Sequence, residues 1–210
     1  MKFLLLIFTF LSLSATAAEK ELKSVLSRYQ KASVQADIEK TVKMTVLEKT
    51  EKSDGKLYFS KGKFRLEMKD PASTLVVQDG TTLWIASKLV DFDGSWQVAK
   101  TKSRSLKKSQ AIMGLLFDEK GVWKDFEIAE EKSADDEKIW TLKPKKSANT
   151  EIAKLQIRLN PTKKTISDIS YWDNLENETS YKFSTQKFGA KIAPAKFTYK
   201  PPKGAEVTEF

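Results

Sequence analysis

The stretch from Gly55 to Ala86, GKLYFSKGKFRLEMKDPASTLVVQDGTTLWIA, constrains the fold more than any other part of the chain. Leu57 and Phe59, then Phe64, Leu66 and Met68, alternate with polar residues that include Lys63, Arg65 and Glu67. A period of two gives a strand one apolar and one wet face, so these segments are predicted to be half-buried antiparallel strands. Asp70-Pro71 ends the second of them, because proline has no N–H to give the ladder. Asp79-Gly80 lies between Leu75-Val76-Val77 and Leu83-Trp84-Ile85 and supplies the positive φ of a tight hairpin. The expectation is a twisted sheet with one greasy face.

Residues 1–17 are predicted to be a secretory signal. Lys2 is the basic start, Phe3 to Leu13 the apolar run and Ala15-Thr16-Ala17 the small-residue exit. The apolar run is short for a membrane span, and no cysteine follows it to carry a lipid anchor. The mature chain, residues 18–210, is long enough for one domain with a sizeable core. With no cysteine in an exported chain, packing alone must hold it together. The net charge of +9 falls to +8 when Lys2 leaves. Export turns that excess away from nucleic acid and towards anionic membrane surfaces or acidic proteins, or simply solubility.

Whole classes of chemistry are missing. The chain has no histidine and no cysteine, which removes Ser-His-Asp and Cys-His catalysis and the usual zinc sites. Asp91-x-Asp93-Gly94 and Asp135-Asp136 are the paired carboxylates, and both sit in turn-like sequence. The first lacks the remaining ligands of a calcium loop, and no phosphate-cradling glycine loop occurs. The composition is that of a binder, not an enzyme, with neither cofactor nor metal.

Elsewhere the pattern is legible in outline. From Glu19 to about Ala32, Leu22, Val25, Leu26 and Tyr29 recur at helical spacing, predicting an amphipathic helix laid on the sheet. Asp37 to Glu48 alternates through Val42, Met44 and Val46 as a strand, and Lys49 to Asp54 reads as a charged turn. Lys88 to Val98 suits a hairpin around Asp93-Gly94 with Trp96 inward. Lys100 to Lys108 is a basic linker, either a solvated loop or a docking patch. Gln110 to Phe117 is apolar on nearly every side, so it is either a core helix or a plug over a cavity. Strands follow at 125–130, 139–142, 153–159, 165–172 and 179–184, with a final edge strand at 196–199 between Pro194 and Pro201-Pro202.

The motif G-x-L-Y-F at Gly55, followed by a basic residue before F-x-L, then D-P and L-V-V-x-D-G-T-T-L-W, resembles the periplasmic lipoprotein carriers of the LolA family. A second match lies at Gly189-Ala190, Ala195-Lys196-Phe197-Thr198-Tyr199 and Pro201-Pro202-Lys203-Gly204. The resemblance spans nearly the whole mature chain. It implies a mainly β (α+β) domain, an incomplete (open) antiparallel β-barrel of about 10–11 strands with helices covering a concave apolar cavity. It also implies a soluble, monomeric periplasmic chaperone without covalent chemistry. Such a protein receives acylated lipoproteins from an inner-membrane ABC transporter and passes them to an outer-membrane lipoprotein acceptor. The problem is steep: at about 0.8 kcal/mol per methylene, a chain of roughly fourteen costs about 11 kcal/mol to leave a membrane unaided. A cavity closed by weakly held lids hides the chain and still releases it.

On that resemblance the acyl-binding residues are Leu57, Phe59, Phe64, Leu66 and Met68 from the sheet, with Leu22, Leu26, Ile112, Leu115 and Leu116 from the lids. Phe64 and Leu66 match the family's aromatic pair, with leucine where tryptophan often stands. The family's Arg-Pro, whose arginine ties lid to barrel, is replaced by Lys61-Gly62. Lysine keeps the charge but loses the planar fork of donors, so Lys61 is the candidate latch, with Arg65 as the alternative that the alternation sets on the face opposite Phe64 and Leu66. The alternatives are a lipid-sensing regulatory subunit or another lipid-binding protein on this fold, and least an enzyme.

Overall fold

The computed structural model describes residues 11–69, 73–88, 95–102, 121–134, 136–148 and 150–209. Among these, twelve strands form one sheet that does not close on itself. Helix α1 (Leu11–Lys31) leads into β1 (Val34–Met44), and five more strands follow: β2 (Lys49–Ser60), β3 (Lys63–Met68), β4 (Thr74–Gln78), β5 (Thr82–Lys88) and β6 (Trp96–Lys102). A short helix α2 (Gly121–Asp125) opens the second run, β7 (Phe126–Ala134), β8 (Glu137–Pro144), β9 (Ile152–Asn160), β10 (Thr165–Asp173) and β11 (Glu178–Phe188). A 3-10 turn (Pro194–Phe197) and β12 (Glu206–Glu209) end the chain.

Each run is an up-and-down meander, and β1 pairs antiparallel with β11 to join them. The sheet therefore runs β12-β6-β5-β4-β3-β2-β1-β11-β10-β9-β8-β7, with β12 and β7 as its free margins. A sheet this wide curls under its own twist. The alternation then puts every second residue on the concave side, where α1 lies. This is the expected mainly β, open-barrel architecture, with one or two strands more than the sequence predicts.

Four local expectations are corrected. The charged run Lys49–Asp54 is the first half of β2, paired with β1 from Met44↔Lys49 onward. The reversal falls one step earlier, at 45–48, so Val46 leaves the strand and is 79% exposed. Charge in that run marks a wet strand face, not a turn. Residues 196–199 are no strand: Lys196 and Phe197 belong to the 3-10 turn, and the edge strand lies at Glu206–Glu209, parallel to β6. Trp96 pairs with Lys88 and stands on the same face as Val98, the convex one, not inward. The expected Asp93-Gly94 turn lies outside the described residues.

That convex face carries a second, smaller core. Tyr58, Val77, Ala86 and Val98 are buried on the side opposite Leu57, Val76 and Leu83, with Phe197 at 4% exposure among them. The tail after β11 is strapped over them by Arg65 and Glu67. Arg65 Nε reaches Glu67 Oε1 at 2.5 Å, Lys196 Nζ reaches the same oxygen at 3.3 Å, and Arg65 Nη1 donates to the Lys196 carbonyl at 3.3 Å. Tyr199 leans on Trp84, with ring centroids 5.6 Å apart. Glu67→Ala removes both ion pairs at once. Because they are partly exposed, the expected loss of global stability is only about 1 kcal/mol. Proteolytic cleavage between residues 189 and 205 should nevertheless accelerate severalfold in limited digestion, and an unchanged cleavage rate would show that the aromatic contacts alone hold the strap.

Candidate functional site

The concave face gathers the sheet residues singled out from the sequence. Phe59 pairs with Phe64 and Leu57 with Leu66, while Met68 pairs with Gly55. All five apolar side chains are buried in one cluster, at 7% exposure or less. Helix α1 turns Leu22, Val25, Leu26 and Tyr29 onto them, and all four are buried. Spacing of three and four residues puts these on one stripe of the helix, which is why the sequence reveals it. Ile112, Leu115 and Leu116 lie outside the described residues, as does most of the basic linker. Lys61 sits in the β2–β3 hairpin turn at φ 51°, ahead of Gly62 at φ 76°, as an exposed side chain. Paired positive φ values at both central residues make the kind of turn that suits two twisted strands.

Sequence reasoning missed the other half of the concave face. Trp140 of β8, Leu155 and Ile157 of β9, Ile169 of β10, and Tyr181 and Phe183 of β11 complete the same cluster. Trp140 is wholly buried, and among the described residues its indole N–H has no hydrogen-bond partner. The strands carrying these residues were legible, but which of their faces turns inward depends on the β1–β11 pairing, which no local signal reports.

Also unforeseen is how α1 is fastened. The Ile166 N–H donates to the Tyr29 hydroxyl oxygen at 2.8 Å, the Tyr29 hydroxyl donates to Gln186 Oε1, and Gln186 Nε2 donates to the Ile166 carbonyl at 2.7 Å. One phenol thus closes a ring of three hydrogen bonds across β10 and β11. Burial pushes the Tyr29 pKa far above that of an ordinary phenol, against the pull of the Ile166 bond and of Arg28. Beside it, Arg28 Nη1 donates to the carbonyls of Lys163 and Lys164, at 3.1 and 3.0 Å, with its guanidinium 3.9 Å from the Phe188 ring. Two turns of helix nearer the start of the chain, Glu21 meets Lys138 of β8 at 2.6 Å. The helix is pinned to the second meander by its polar flank and covers the first with its apolar one.

At the opposite end of β1, two hairpin tips are stitched together. The Thr45 N–H donates to Asn177 Oδ1 at 3.0 Å, and Thr45 Oγ1 donates to the Glu176 carbonyl at 2.8 Å. These tips carry Val46, Leu47 and Leu175, which are 79%, 68% and 66% exposed. The described residues form an apolar trough with a helix held over it.

The family profile for the outer membrane lipoprotein carrier protein LolA matches residues 30–200. The chain belongs to the LolA family. The outer-membrane lipoprotein carrier protein of Chromobacterium violaceum is 32% identical over 192 residues, covering 91% of this chain and 87% of that protein. The protein of the same name from Legionella pneumophila is 30% identical over 206 residues, 98% of this chain and 96% of its own. An uncharacterized conserved protein from Thermus thermophilus shares the fold, with a TM-score of 0.54, 14% identity and coverage of 92% of this chain and 99% of its own. In this family member, as described, no helix is long and apolar enough to cross a membrane.

Proposed function

We propose that this protein is a soluble periplasmic chaperone that carries the acyl chains of lipoproteins from the inner to the outer membrane. The observation that carries the reading is family membership across residues 30–200, coupled to an apolar concave face with a helix laid over it. In this reading residues 1–17 are a cleaved signal. An inner-membrane ABC transporter loads the mature protein, and an outer-membrane acceptor unloads it, without covalent chemistry. The chains lie against Leu57, Phe59, Phe64, Leu66 and Met68, displacing contacts these residues make with Leu22 and Leu26 of α1. The resemblance adds Ile112, Leu115 and Leu116, outside the described residues, to the acyl-binding set, and Lys61 is the latch, so a Lys61→Leu variant would load and fail to release.

The physical logic is an exchange. Opening removes helix-to-sheet contacts, and the ligand replaces them, so the net affinity is the difference between two large burials. That keeps binding strong enough to shield the chains and weak enough to give them up.

Native mass spectrometry of the mature protein with a triacylated lipoprotein, diluted from detergent to below micelle formation, tests the reading. A one-to-one complex is expected with the acylated protein and none with its unacylated version. Equal binding of the two, or binding of neither, would overturn it.

A further inference from the structure

The rows of side chains that cross β2, β1, β11, β10 and β9 at Ile38, Lys40 and Val42 hold one cation, Lys40. In register, Ser53 of β2 pairs with Lys40 of β1, Lys40 with Tyr181 of β11, Tyr181 with Ile169 of β10, and Ile169 with Ile157 of β9. Ile38, Tyr181, Ile169 and Ile157 belong to the concave core. Alternation therefore sets Lys40, two residues beyond Ile38, on that same face. The next row is Glu51, Val42, Thr179 and Tyr171. The positions around Lys40 thus carry four hydroxyls, and those of Ser53, Thr179 and Tyr181 belong to buried residues.

Lys40 is itself half-buried. Glu51, the acid diagonal to it, has its carboxylate 2.7 Å from Lys49 Nζ. Among the described residues no carboxylate comes within the 4.0 Å of an ion pair with Lys40. Burial lowers the Lys40 pKa below that of an ordinary lysine, and Glu51 offsets only part of this. An ammonium held out of water without a close counter-ion costs stability, where a methionine of similar length would not. An arriving anion removes that cost.

We propose that Lys40 is the head-group anchor of the concave face, holding the carboxylate or phosphate of a single-chain anionic lipid whose tail lies along the apolar rows. The inference rests on the reading of this face as an acyl-binding trough and adds a ligand class to it. The ammonium brings three donors, the neighbouring hydroxyls bring others, and a bond between charged partners is among the stronger ones available to a protein. Fatty acids and lysophosphatidates share this chemistry.

Displacement of a fluorescent fatty acid from the mature protein compares palmitate, 1-palmitoyl lysophosphatidate and methyl palmitate, whose head is neutral. The wild type is expected to bind at least one anionic lipid about tenfold more tightly than the methyl ester, the size of one charge-assisted hydrogen bond. Preference for palmitate alone assigns the carboxylate, and preference for lysophosphatidate alone assigns the phosphate. Lys40→Met should abolish the preference without weakening the ester, Lys40→Arg should keep it, and the ligand-free Lys40→Met protein should melt no lower than wild type. If wild type binds acid and ester alike, or Lys40→Met weakens all three equally, the anchor is overturned while the acyl trough stands. If wild type binds none of the three, the trough falls with it.

Discussion

Gly55→Ala should be among the most damaging single-methyl changes in this protein. A Cβ at this position would lie 2.3 Å from the Glu67 carbonyl oxygen and 2.6 Å from Met68 Sδ. The methionine can swing aside, but the backbone oxygen belongs to β3, which pairs with β2 from Gly55↔Met68 to Ser60↔Lys63. Making room means parting the two strands where they carry Leu57, Phe59, Phe64 and Leu66 on the concave face. The expected cost is about 3 kcal/mol, the upper end for overpacking a tight site. It should be read as a lower urea midpoint with an unchanged slope. Stability within about 0.5 kcal/mol of wild type would mean that the two strands separate there at little cost.

Tyr29→Phe should be the second large effect, through one oxygen atom. Without the hydroxyl, the buried Ile166 N–H loses its acceptor and Gln186 Oε1 its donor, while the aromatic contact with Phe188 at 5.0 Å is kept. Stranding a buried donor costs about 2 kcal/mol. The loss should centre on the docking of α1, so amide exchange in α1 and near Ile166 should quicken more than exchange in β4 and β5. The same phenol limits alkaline stability. Below its ordinary pKa of 10.0, folded and unfolded chains both keep the proton. Above that value the unfolded chain releases it first, because the folded pKa is raised, so stability falls as pH rises. Tyr181, raised mainly by burial and further by Tyr171, adds to the same slope. The phenylalanine variant should therefore lose less stability between neutral pH and about pH 11 than wild type does. Equal losses would assign the alkaline transition elsewhere.

Much of the architecture was legible in the chain. Strict alternation from Leu57 to Met68 specifies one buried face, because a slip of one residue would put Phe64 and Leu66 into water. The Asp79-Gly80 turn was equally plain: Asp79 Oδ1 accepts hydrogen bonds from the Thr81 and Thr82 N–H groups at 2.9 and 2.8 Å, and Gly80 has φ 106°. Where the reading failed, two signals competed. Lys49 to Asp54 has the composition of a turn, but it lengthens β2 because β1 offers an unbroken ladder opposite it. Residues 194–199 have the β-branched and aromatic character of a strand, yet Phe197 is buried by turning its 3-10 segment onto the convex face. Propensity yields to a tertiary contact of that kind.

The sequence by itself determined the class of fold, the inward stripe of α1, the wet and dry faces of the first meander, and the absence of histidine and cysteine chemistry. These follow from periodicities of two or of three to four residues and from composition, which need no partner to express them. Only the tertiary structure decided that β1 and β11 join the two meanders, that Tyr29 and Arg28 pin the helix to residues more than 130 positions away, and which residues Lys40 meets across the concave face. Each of these depends on register between segments far apart in the chain. No local pattern encodes such a register; the packing of the whole sheet selects it.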